Sequence, residues 1–147
     1  MPERPWKPLL GGRLLDQAGK ALQDISGALE SGPPPHLGSD RQPEEIRIRT
    51  ACLGDGHAGQ ALYFGYLHQA CGGEGRAGTG ITLLDRAIEA VSSQRMGPTL
   101  YTGFPGIAWA ANHLAGRPYP QAEEDPYRET DALLHDYIRR IPWPFHL

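Results

Sequence analysis

Two stretches of this chain carry one pattern in the same register, 47 residues apart. The first opens Leu53-Gly54-Asp55-Gly56-His57-Ala58-Gly59-Gln60-Ala61 and runs on to Leu67. The second opens Leu100-Tyr101-Thr102-Gly103-Phe104-Pro105-Gly106-Ile107-Ala108 and runs on to Leu114. Leu53 aligns with Leu100, Gly56 with Gly103, Gly59 with Gly106, Ala61 with Ala108 and Leu67 with Leu114. A repeat of this period is expected to be one supersecondary unit copied along the chain. A third glycine at the same interval falls past Leu147, so the repeat alone predicts an incomplete array.

The residues between the motifs set the fold class. Leu14, Leu15, Ala18, Ala21, Leu22, Ile25, Ala28 and Leu29 recur at helical spacing and predict a helix over 12–30. The Gly32-Pro33-Pro34-Pro35 run ends it. A polar loop is expected to about Glu45, and Ile46-Arg47-Ile48-Arg49 alternates like a short strand. The first motif leads into a helix over 57–70 that is apolar on most sides, the mark of a buried helix. Gly72-Gly73-Glu74-Gly75 reads as a break. An amphipathic helix follows over 82–95, with Thr82 and Asp85 as a weak capping box. A second apolar helix spans 105–115, with Pro105 suited to its first turn. Asp125 and Pro126 look like the start of a last amphipathic helix over 125–141.

Amphipathic and buried helices thus alternate, which predicts an all-α fold of two helical layers, outer and inner. The expected architecture is a partial α/α toroid of repeated helical hairpins with Gly-x-x-Gly motifs. Each motif would turn the chain from an outer connection into an inner helix.

Composition excludes several partners. A net charge of -3 argues against nucleic acid, which needs a basic stripe. No long uncharged apolar run predicts a membrane span, and Met1-Pro2-Glu3-Arg4-Pro5 lacks the apolar core of a signal peptide. Two cysteines are too few for a disulfide scaffold, so the expected location is the cytoplasm.

Gly54-Asp55-Gly56-His57-Ala58-Gly59 also satisfies the dinucleotide pattern G-x-G-x-x-G. That reading needs a strand before the motif and a second strand ending in an acid about twenty residues on. Glu74 has the distance but lies in a glycine run, and the second copy lacks the first glycine. The repeat accounts for both copies and the fingerprint for one.

Leu100–Ala108, and with it Leu53–Ala61, resembles the recurrent signature of the lanthionine synthetase C-like family, the lanthipeptide cyclases and their relatives. The resemblance extends diffusely over 12–141. It implies a toroid of more hairpins than this chain holds, so residues 1–147 would form the incomplete N-terminal part of such a domain. It implies a zinc ion held by two cysteines and a histidine that directly follows the second cysteine. That zinc would activate a peptide Cys thiol for addition to dehydroalanine or dehydrobutyrine, closing a thioether ring. Here Cys52 is followed by Leu53 and Cys71 by Gly72, so neither has the ligand context. No catalytic, cofactor-binding or metal-ligating residue is carried over, and no cofactor is expected in this chain itself. The expected partners are a peptide substrate or the remaining hairpins; the alternative is a non-catalytic helical module binding a peptide or protein.

Other candidates have plain structural readings beside chemical ones. Asp55 and His57 could form an acid–base pair, or Asp55 could cap the helix. Cys52 and Cys71 could join His57 or His68 at a metal, though their spacing matches no zinc signature. His68 and His113 are expected in the core or lining a pore. Tyr63, Phe64 and Trp109 are expected to pack between layers. Trp143 and Phe145 are expected to cover the last helix or to begin the next connection. Glu123, Glu124 and Asp125 form one cluster rather than the paired carboxylates of a toroidal glycosidase.

Overall fold

A computed structural model describes residues 9–31, 42–116 and 128–140. Every regular element among them is helical: α1 (Gly12–Glu30), α2 (Pro43–Ala51), α3 (His57–Cys71), α4 (Glu74–Ser93), α5 (Phe104–Leu114) and α6 (Arg128–Arg140). The chain divides into two compact units, residues 1–34 and 35–147.

The first unit holds α1, which has the expected bounds and no buried residue. Its apolar stripe is only half covered at Ala18, Leu22 and Leu29, while Leu14 and Leu15 are exposed. Ser26 Oγ donates to the Leu22 carbonyl within the helix, and Ser31 N–H closes the last turn on Gly27 O.

The second unit is built on the hairpin of α3 and α4. Gly72 and Gly73 join them with φ of 70° and 97°, a backbone conformation that glycine alone adopts at little cost. His68 Nδ1 lies 3.0 Å from Gly73 O near the turn, and Gly80 meets Ala61 and Phe64 further along, so the helices run antiparallel. A Cβ at Gly80 would stand 3.4 Å from both Ala61 O and Phe64 Cβ, and its absence brings the two helices close. The break read at Gly72-Gly73 is this turn, but α4 begins directly after it at Glu74 rather than at 82. Thr82 is accordingly no cap; its hydroxyl donates to Gly78 O inside the helix.

Residues 46–49 correct the sequence reading more sharply. They lie in α2, not in a strand. Pro43 occupies the first turn, Glu44 and Glu45 follow at the positive end, and Arg49 sits in the last turn with Glu45 four residues before it. Those are helix-start and helix-end signals that outweigh a four-residue alternation.

The core lies where α3, α4 and α5 meet. Ala58 and Ala61 of α3, Leu84 and Ala87 of α4, and Ile107, Ala110 and Leu114 of α5 form one buried cluster, joined by Ala51 of α2. Leu53, Leu62 and Leu83 pack against it. Phe64, Leu84, Ile107 and Leu114 are its largest buried side chains, each contributing roughly 1.5–3 kcal/mol relative to exposure. Helices α3 and α5 each bury five residues, whereas α6 buries none. The expected starts near 57 and 105 hold to within a residue. The proposed cap at Asp125–Pro126, the Gly32–Pro35 stop, Glu123, Glu124, Trp143 and Phe145 lie outside the described residues.

Candidate functional site

The two glycine motifs adopt the same local form. Gly56 is the N-cap of α3 at φ -120°, ψ -165°, and Gly103 is the N-cap of α5 at φ -122°, ψ -179°. A Cβ on Gly56 would run into Arg49 O, and one on Gly103 into Gly97 O. A Cβ on Gly59 would strike Leu53 O, and one on Gly106 would strike Leu100 O, six residues back in both cases. The motifs also touch each other. Gly54 N–H donates to Tyr101 O at 2.9 Å, and Leu53 Cβ lies 2.9 Å from where a Gly106 Cβ would stand. Glycine is thus required by close backbone approach.

The first motif carries a polar cluster. Asp55 accepts from the Arg49 guanidinium and stands 3.1 Å from Cys52 Sγ, which is also 3.2 Å from Arg49 O. The Cys52 side chain is buried, and burial pushes its thiol above the ordinary range, with the Asp55 carboxylate adding to the rise. A thiol held protonated in this way is a poor nucleophile and a poor metal ligand. The N-cap of α3 is Gly56, and Asp55 just before it ties the loop back to α2 through Arg49. His57 answers to other surroundings: burial lowers its pKa first, and the Arg86 charge on α4 lowers it further. Asp55 and His57 thus have different surroundings, Arg49 and Cys52 for the one and the Arg86 charge for the other.

Cys71 is exposed at the end of α3 while Cys52 is buried in the turn before it. Among the described residues no group of three His, Cys, Asp or Glu side chains is placed to hold a metal ion. Among the described residues the two cysteines, one buried and one exposed, are not brought together with a histidine as the zinc of the family resemblance implies.

A second constellation joins α3 and α5 at their surface. Tyr66 of α3 hydrogen bonds to His113 Nε2 of α5, and these two residues are themselves 47 apart in sequence. The Trp109 ring stacks on His113 with centroids 4.9 Å apart and planes 15° apart. Tyr66 is 49% exposed and Trp109 47% exposed. Trp109 therefore does not pack between layers as expected; Phe64 does, and Tyr63 is half-buried edge-on against it. His68 and His113 are half-buried. Sequence reading missed the Tyr66–Trp109–His113 cluster, although the shared register of Tyr66 and His113 was a signal for it.

Two open cavities lie beside α6. One, of about 410 Å³, is walled by α5 and α6 and includes Trp109 and Asp131. The other, of about 570 Å³, lies between the end of α4 and α6. No described helix is long and apolar enough to cross a membrane. Comparison of the chain with protein-family models, with curated proteins and with solved structures gave no match.

Proposed function

We propose that this chain supplies the N-terminal helical hairpins of a peptide-modifying α/α toroid resembling the lanthionine synthetase C-like cyclases. In that reading the domain closes thioether rings by adding Cys thiols to dehydroalanine or dehydrobutyrine. The observation that carries it is the pair of matched glycine caps, Gly56 and Gly103, each opening an inner helix with the same backbone geometry and the same close approach. A motif that recurs in sequence and in cap conformation is what an array of like hairpins requires. Among the described residues no donor set for zinc is placed, so no chemical step is assigned to them. Their part is to scaffold the array and to present a peptide-binding face.

A specific observation also favours a non-catalytic module. Tyr66, Trp109 and His113 form an exposed aromatic face spanning both inner helices. Aromatic groups of this kind anchor peptides through stacking and buried area. The two readings share a peptide ligand and differ in whether a zinc-bearing portion acts beside this one.

The test is titration of the isotope-labelled chain with a dehydrated, Cys-containing peptide and with its undehydrated form. The expected result is saturable perturbation at Tyr66, Trp109 and His113 without thioether formation. Ring closure by this chain alone would place the reaction centre within it and overturn the assignment. Absence of peptide binding would remove the functional reading while leaving the architecture standing.

A further inference from the structure

The cavity of about 410 Å³ beside Trp109 is two-sided in its chemistry. Leu100, Pro105, Ala108 and Leu134 give it apolar walls. Asn112 of α5 and Thr130 and Asp131 of α6 bring an amide, a hydroxyl and a carboxylate to the same space. Trp109 adds an indole that is 47% exposed, although one of its faces is stacked on His113.

The three polar side chains are not engaged within the protein. Among the described residues, Asn112, Thr130 and Asp131 make no side-chain hydrogen bond and no ion pair. Asp131 stands in the first turn of α6 with Glu129, where both complement the positive end of the helix. Of these two acids, Asp131 lines the cavity and Glu129 does not. Arg128 lies three residues before Asp131 and His135 four after, within reach along the helix, yet neither pairs with it.

That set selects a ligand by charge and by shape. A carboxylate, an amide oxygen and a hydroxyl oxygen are acceptors. An indole face attracts a cation. The apolar walls suit a methylene stem. A long side chain with a flat cationic head meets all three demands. Guanidinium does so better than ammonium, because its planar fork offers a carboxylate two donors and stacks on an aromatic ring. We propose that this cavity holds the arginine side chain of a peptide, its guanidinium against Asp131 and Trp109 and its stem against Leu100 and Ala108. The proposal deepens the peptide reading above and rests on it for the source of the arginine. It adds a charge requirement that the aromatic face alone does not impose.

The test titrates the isotope-labelled full chain with N-acetylarginine amide, which carries the side chain and its flanking peptide groups alone. A ligand of this size is expected to bind with a Kd of about 1 mM. The expected perturbations are at the Asn112 side-chain amide, the Trp109 indole N–H and the Asp131 backbone, saturating together. N-acetylcitrulline amide has the same shape without the charge and is expected to bind about tenfold more weakly. Asp131→Asn keeps the size of the side chain and removes its charge. It is expected to weaken arginine binding about fivefold and to leave citrulline binding unchanged. Glu129→Gln removes the same charge from the same turn, outside the cavity, and is expected to change arginine binding by less than about twofold. Helical spectra of both variants check that α6 is retained.

No saturable perturbation with the arginine probe at about 10 mM would overturn the proposal. So would equal binding of the arginine and citrulline probes. Equal losses in Asp131→Asn and Glu129→Gln would show general attraction to an acidic turn rather than a site, and would also overturn it. Tighter binding of free arginine than of the blocked form would assign the cavity to a free amino acid and overturn the peptide source. These outcomes are separate from the dehydrated-peptide test, which reads the Tyr66–His113 face rather than the lining beside Asp131.

Discussion

The glycines at 56, 59, 103 and 106 are held by backbone rather than by side chains, and that decides what substitution does. A Cβ at Gly106 would strike Leu100 O and crowd Leu53. Neither can swing aside, because one is main chain and the other sits at the junction of the two motifs. Gly106→Ala is expected to cost about 3 kcal/mol in urea unfolding, the upper end of overpacking costs. Gly78→Ala meets nothing within 4 Å and lies inside α4, so it is expected to stabilise by roughly 0.5–1 kcal/mol. Equal effects at the two positions would deny the close approach. Cys52 gives a second handle. Its thiol pKa is raised in the folded state by burial. As pH rises past the ordinary thiol value, about 8.5, the unfolded chain loses this proton first and stability falls. Cys52→Ala should flatten that alkaline loss. A thiol reagent at neutral pH should modify exposed Cys71 and spare Cys52 until the chain unfolds. His57 acts at the other end of the scale, with a folded pKa lowered by burial and by Arg86. Below about pH 6.5 the unfolded state takes up the proton before the folded state does, so stability falls on acidification. Phe104 stands at the equivalent place in the second motif, and His57→Phe should remove this acid sensitivity in unfolding curves taken across that range.

At the scale of elements, the sequence was legible where apolar period and caps agreed. The bounds of α1 and the starts of α3 and α5 followed from the stripe beginning at Leu14 and from the two Gly-x-x-Gly turns. It was not legible at α2, where Ile46 and Ile48 alternate over too short a run and the decisive signals were Pro43, Glu44, Glu45 and Arg49. Nor was it legible at the start of α4, because glycines at 75, 78 and 80 lower helix propensity. Antiparallel packing on α3 overrides that cost, and Gly80 lets the two helices approach closely at Ala61 and Phe64. The aromatic cluster was hidden for another reason. An apolar helix was read as covered on all sides, and Trp109 is left open because the surface beyond it has no helix among the described residues. The Arg49–Asp55 pair joins α2 to the first motif with both side chains about one-third exposed. Arg49→Ala is expected to cost no more than about 1 kcal/mol, as for partly screened ion pairs. A loss several times larger in the same unfolding assay would mean that the pair, not the glycine contact, positions the loop.

For the molecule as a whole, the second unit has its core at α3, α4 and α5, and the two glycine motifs that open α3 and α5 touch each other. Helices α1 and α6 bury nothing. Amide exchange should therefore be slowest in α3, α4 and α5 and fastest in α1 and α6. The central claim is that the two glycine motifs are equivalent units that interlock. The most direct measurement is a nuclear Overhauser spectrum of the labelled chain, recorded for the Leu53 methyls, the Gly106 α-protons and the Gly54 amide. The account predicts a strong cross-peak between Leu53 and Gly106, a Gly54 amide protected by its bond to Tyr101 O, and matching shifts for Gly56 and Gly103 at their caps. A missing Leu53–Gly106 cross-peak, together with a freely exchanging Gly54 amide, would contradict it.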